Sequence, residues 1–142
     1  RMRNTGVQLA ALFLDLDGFK EVNDELGHDA GAAVLRGVAE RLSRQVRGHD
    51  MLARLGGDEF VLVLNELDEP RQAVVVAERI CEAVAAPFSI GGSVVALATS
   101  IGIAYAQPDD SADTVLNTAD RVMYEAKRLG GNRFVVSRPD AA

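Results

Sequence analysis

Two short apolar runs, Met51–Leu55 and Phe60–Leu64, stand on either side of Gly56-Gly57-Asp58-Glu59. Runs of this length are too short for amphipathic helices and suit strands. A Gly-Gly pair between them supplies the backbone freedom of a tight hairpin. The chain therefore has to build a sheet, and one turn of that sheet carries two adjacent carboxylates. No other feature limits the possible folds as much.

The other segments fit around this hairpin. Val7–Leu14 is a continuous apolar run, read as a buried strand that ends at Asp15. Phe19–Leu26 predicts a short helix broken by Gly27. From Ala30 to Val46, apolar residues at Val34, Val38, Leu42 and Val46, flanked by Leu35 and Ala39, mark one face of a long helix, with Arg41, Arg44 and Gln45 on its wet face. Arg71–Val84 repeats the pattern, with Val76, Ala77, Ile80 and Val84 inward. Gly91-Gly92 predicts a turn before a β-rich stretch, Val94–Tyr105. Ala112–Leu129 is the last long helix, with Leu116, Ala119, Val122, Met123 and Ala126 inward, and Phe134–Val136 is a closing strand. The order β-α-α-β-β-α-β-α-β predicts an α+β fold with a mixed, largely antiparallel central sheet flanked by helices. No dinucleotide-binding or P-loop glycine motif is present.

At 142 residues the chain is read as one domain over 1–142. It opens on Arg1-Met2-Arg3, which we read as the start of a piece from a longer protein. Fifteen Lys and Arg against 21 Asp and Glu give a net charge of −6. Nucleic-acid binding runs on excess Lys and Arg, so this balance argues against a nucleic-acid substrate. No apolar run is long enough for a membrane span, and no membrane contact is expected of this domain. Cys81 is the sole cysteine, which excludes an internal disulfide and fits a reducing, cytoplasmic compartment.

Asp15 and Asp17 are two residues apart at a strand end, so period 2 puts both on one face. If the strand after the hairpin runs antiparallel to the first, Asp58 converges on Asp15. No cationic partner for this group is evident in the sequence. Carboxylates gathered in this way are either solvated or share a divalent cation, and oxygen-only ligands suit Mg²⁺ or Mn²⁺. An EF-hand reading of Asp15-Leu16-Asp17-Gly18 fails, because Phe19 and Lys20 occupy positions that need a ligand and a glycine.

Arg54-Leu55-Gly56-Gly57-Asp58-Glu59-Phe60 resembles the signature of the GGDEF family, the diguanylate cyclases. Asp15-Leu16-Asp17-Gly18-Phe19-Lys20 with Asn23-Asp24 and Gly27-His28, then Ser100-Ile101-Gly102-Ile103-Ala104, and finally Ala119-Asp120, Tyr124, Ala126-Lys127 and Gly130-Gly131-Asn132-Arg133, are similar to further stretches of that family. The resemblance spans about residues 7–136. It implies a palm-like, nucleotidyl-cyclase fold and the condensation of two GTP into cyclic di-GMP with release of two pyrophosphates. It implies metal ions held by Asp15, Asp58 and the carbonyl of Leu16, with Asp58 or Glu59 helping to deprotonate the attacking hydroxyl. Lys20 and Lys127 match positions that neutralise phosphate. The Gly18-Phe19-Lys20 helix start offers N–H groups to phosphate. Asn23 matches a guanine-binding position and His28 another substrate position, while Gly56 and Gly57 leave room for a ligand at the turn.

Arg47-Gly48-His49-Asp50 has the spacing of the family's R-x-x-D product-binding motif, and Arg79 resembles a third residue of that site. This implies feedback inhibition by cyclic di-GMP. One site holds one GTP, so turnover implies a homodimer. A sensor or coiled coil before this segment, and a phosphodiesterase domain after it, would be in keeping with the family. The chain departs from the pattern at Ala32, where an aspartate usually reads guanine, and at Gly131, where an arginine often contacts phosphate. A degenerate domain that binds GTP or cyclic di-GMP and regulates a neighbour is therefore the alternative to a working cyclase.

Overall fold

The structure is a computed structural model that describes residues 9–137. Its spine is β1 (Ala10–Asp17), the middle strand of a five-stranded sheet. The neighbours of β1 are β3 (Glu59–Leu64) and β6 (Ala98–Tyr105), both antiparallel to it. Outside them lie β2 (Met51–Gly56), antiparallel to β3, and β7 (Arg133–Val136), parallel to β6. The sheet is mixed and largely antiparallel, as expected.

β1 is apolar at successive positions because both of its faces are covered. Ala10, Leu12, Leu14 and Leu16 join the core under α1 (Phe19–Leu26), α2 (His28–Ser43) and α3 (Arg71–Ala85). Ala11 and Phe13 point the other way, toward Ala119 and Met123 of α4 (Ala112–Arg128). Helix α4 lies directly on β6: a Cβ at Gly102 would overlap the Ala119 carbonyl and the Met123 amide. Among the described residues no helix is long and apolar enough to cross a membrane.

Several expectations shift. The first strand starts at Ala10; Val7 and Gln8 lie outside the described residues. α2 begins two residues earlier than predicted, at His28, and ends at Ser43 before reaching Val46. The β-rich stretch splits into β5 (Ser93–Val95) and β6, and β5 pairs with an unforeseen strand, β4 (Phe88–Ile90), across the predicted Gly91-Gly92 turn. In α4 Val115 takes the buried place expected of Leu116, which is half-buried. Arg41 does not sit on a wet face. It is tied to the end of α3 by hydrogen bonds to the carbonyls of Ala83, Ala86 and Pro87.

Candidate active site

The end of β1 carries Asp15 and Asp17 past the apolar part of the sheet. By strand alternation both project on the α4 side, below the apolar Ala11 and Phe13. The hairpin brings Asp58 to the same place: Asp15 pairs across strands with Glu59, and the amide of Leu16 donates to the Asp58 carbonyl at 3.2 Å. Asp15 and Asp58 are thereby neighbours, close enough for the carboxyl of one to act on that of the other. Burial, then the contact with Asp15 and its charge, push Asp58 up to about 6, against a smaller opposing pull from Lys127. Glu59 is raised too, by burial first and then by the charges of Asp15 and Asp120.

A cation does sit in this group, contrary to the sequence reading. Lys127, in the last turn of α4, places Nζ 3.1 Å from Asp15 Oδ2 and 3.4 Å from Asp17 Oδ1. Its pKa rises, because the contacts and charges of Asp15 and Asp17 outweigh the opposing effect of burial. One oxygen stays unserved: Asp15 Oδ1 is buried and has no hydrogen-bond partner. An orphaned carboxylate oxygen on a residue next to a second carboxyl, with the Leu16 carbonyl nearby in sequence, is a donor set that fits a hard divalent cation. Among the described residues no three His, Cys, Asp or Glu side chains close a cage. A cation here would keep open positions for water and phosphate, as Mg²⁺ commonly does.

Asp17 has a second task. It accepts from Ser100 Oγ at 3.0 Å, and from the Asn132 amide at 3.0 Å. It thereby holds the turn between α4 and β7 and keeps Lys127 at the site. Sequence reasoning missed this. The available signal was the polar pair Thr99-Ser100 just ahead of the apolar stretch Ile101–Ala104 in β6. The same turn explains one departure from the family pattern. Gly131 has φ +73°, and a Cβ there would come 2.7 Å from Asp17 Oδ2. An arginine cannot enter at 131 without moving the turn or the carboxylate.

Next to the acidic centre, Gly18 turns the chain through φ 92° into α1. No side chain caps that helix, so its first N–H groups remain available. Phe19 contributes only its backbone here, since its ring is buried in the core. Lys20 is exposed, with Asp24 3.9 Å from its Nζ. Asn23 lies so close to α2 that a Cβ at Gly31 would overlap its side-chain oxygen. His28 opens α2 and is exposed, as is Ala32 one turn later. At the hairpin tip, Arg54 Nε donates to the Gly57 carbonyl at 3.0 Å. Nothing lies within 4 Å of a Cβ built at Gly56 or Gly57, so a ligand can approach.

The profile of the family described as "Diguanylate cyclase, GGDEF domain" matches residues 1–133. This chain belongs to the GGDEF family. The diguanylate cyclase TpbB of Pseudomonas aeruginosa is 46% identical over 123 residues, which cover 85% of this chain and 28% of TpbB. The bifunctional diguanylate cyclase/cyclic di-GMP phosphodiesterase MucR of the same species is 44% identical over 128 residues, covering 89% of this chain and 18% of MucR. The chain thus spans less than a third of either relative. The crystal structure of the TpbB GGDEF domain superposes with a TM-score of 0.88 at 41% identity, covering 94% of this chain and 84% of that one. The GGDEF domain of DgcB from Caulobacter crescentus, solved in complex with c-di-GMP, gives 0.86 at 30% identity, covering 92% and 78%.

A second polar site of this GGDEF domain lies at the start of the hairpin, apart from the acidic centre. Arg47 and Asp50, from the loop between α2 and β2, and Arg79, on α3, line one cavity of about 240 Å³. Asp50 is deeply placed. Its Oδ2 accepts from the Arg47 amide at 3.0 Å and its Oδ1 from the Asn65 amide at 2.9 Å. The carboxylate of the R-x-x-D spacing is thus already engaged in shaping the loop that presents Arg47.

Proposed function

We propose that this domain is a diguanylate cyclase, condensing two GTP into cyclic di-GMP and two pyrophosphates. The observation that supports this most is the pair Asp15 and Asp58, brought together at the β1–β3 junction and completed by Lys127 from α4. Asp15, Asp58 and the Leu16 carbonyl would hold Mg²⁺ or Mn²⁺. Such ions offset charge on the reacting phosphate and sharpen the nucleophile. The residues of the chain do the rest. The N–H groups at the start of α1, with Lys20 and Lys127, bind the triphosphate. Asn23, pressed against α2, and His28 receive the base. Asp58 or Glu59 takes the proton from the 3′-hydroxyl. That oxygen bonds to the α-phosphorus of the second nucleotide while the bond to pyrophosphate breaks. Two such transfers close the ring. Each domain holds one GTP, so two domains must face each other as a homodimer, in the cytoplasm where GTP is found.

Cyclic di-GMP would return to the cavity of Arg47 and Arg79 as a feedback inhibitor, with guanidinium forks gripping phosphate or guanine. Ala32 favours a second reading, a domain that binds nucleotide and regulates a neighbour without turnover. The test is incubation of the concentrated chain with GTP and Mg²⁺, with mass spectrometry for cyclic di-GMP. Product that disappears in Asp58→Ala supports the cyclase. No product from the chain or from its longer parent supports the second reading.

A further inference from the structure

Arg47 and Arg79 reach their shared cavity from two separate segments, and one side chain fastens those segments together. Arg41 sits in the last turn of α2. Its Nη1 donates to the carbonyls of Ala83 at 2.7 Å and Ala86 at 2.6 Å, and its Nη2 to that of Pro87 at 2.9 Å. Ala83 lies in the last turn of α3, where carbonyls have no partners within the helix, and Ala86 and Pro87 follow directly after it. The guanidinium also lies over the Phe88 ring, 3.5 Å from its centroid. Gly37, one turn earlier in α2, meets that same ring: a Cβ there would come within 3.1 Å of Phe88 Cδ2 and Cε2.

This lock is close to both walls. Arg41 precedes Gln45, a lining residue, by one helical turn's worth of chain, and Arg47 follows soon after. On the other side, Ala83 lies one turn beyond Arg79 along α3. Elsewhere α2 and α3 meet the core through apolar side chains such as Val38, Ala77 and Ile80, which specify direction weakly. Fork-shaped hydrogen bonds and a planar stack are directional. They decide where the end of α3 stands relative to the end of α2.

We propose that Arg41 is a positioning residue for the cavity: it sets the span between Arg47 and Arg79, and hence the affinity for cyclic di-GMP, without touching the ligand. The proposal rests on the reading of this cavity as the product site. A ligand gripped by two arginines on separate segments needs both forks at the right separation. Loosening the α2–α3 join costs binding even with both arginines in place.

The test is calorimetric titration of cyclic di-GMP into the chain and its Arg41→Lys, Arg41→Gln and Arg47→Ala variants, with GTP titrations and thermal melts alongside. Lysine keeps the charge and loses the fork and the stack, so it carries the test if the glutamine variant does not fold. Arg41→Lys is expected to weaken cyclic di-GMP binding about two- to thirtyfold, the range for residues that act on a site without contacting its ligand. GTP binding at the acidic centre should be unchanged, and Arg47→Ala should lose cyclic di-GMP binding. An Arg41→Lys variant that melts lower but binds cyclic di-GMP like the parent overturns the proposal, as does equal weakening of both nucleotides. Unchanged binding by Arg47→Ala removes the cavity reading itself, and the role of Arg41 with it.

Discussion

Replacing Lys127 by methionine keeps the length of the side chain and removes its charge. In the structure that charge lies 3.1 Å from Asp15 and 3.4 Å from Asp17. Each contact is worth about 1 kcal/mol at the dielectric of water and about 5 kcal/mol at an effective dielectric near 20. The side chains are 31%, 14% and 25% exposed for Lys127, Asp15 and Asp17, so the environment lies between these limits. After the desolvation of Lys127 is set against the gain, a net loss of about 2 kcal/mol is reasonable. For a domain of this size that is a fall in Tm of about 6 °C, at about 3 °C per kcal/mol. The assay is a thermal melt of Lys127→Met and parent in EDTA and in Mg²⁺. In EDTA the variant should melt lower, because three carboxyls then face one another without a counter-charge. Mg²⁺ should recover most of the difference, since the lysine no longer competes for Asp15. GTP binding should weaken at the same time. A variant that melts with the parent in EDTA would refute the reasoning, for Lys127 would then be a surface lysine with no hold on the acidic centre.

The folded state holds the Asp58 proton up to about 6, against 3.8 for the free group. Its contribution to stability is therefore complete below about pH 4 and lost as pH rises through about 6. Melts in EDTA should show Tm declining over that window, with Asp58→Asn flattening the profile. Ala32→Asp should lower KM for GTP about tenfold, from one restored hydrogen bond between a carboxylate and the base. Gly131→Arg should lower Tm and leave GTP affinity no better, because the new Cβ would crowd Asp17 and the residue holds φ +73°.

Particular residues show why some of this was readable in the sequence and some was not. The hairpin was legible because Gly56 and Gly57 mark a turn between two apolar runs, and the convergence of Asp15 with Asp58 followed from antiparallel pairing alone. α4 was legible from its periodicity. β4 was not, since three residues are too few to display a period of two. Lys127 as partner of the acidic centre was invisible because it lies 110 residues from Asp17, and only the packing of α4 on Gly102 brings it over the strand end. Arg41 looked solvated for a similar reason. Its acceptors are backbone carbonyls 42 to 46 residues away, and carbonyls leave no mark on side-chain patterns. Asp50 kept its place beside Arg47, but the bonds that engage its carboxylate depend on the Asn65 amide after β3, which no spacing rule announces.

The central claim is that Asp15 and Asp58 share one divalent cation at the β1–β3 junction. Titration of Mn²⁺ into the chain, followed by electron paramagnetic resonance in the presence of GTP, tests it most directly. The account predicts protein-dependent Mn²⁺ binding that is lost in Asp15→Ala and in Asp58→Ala and kept in Arg47→Ala. Mn²⁺ bound as tightly by both aspartate variants as by the parent would contradict it.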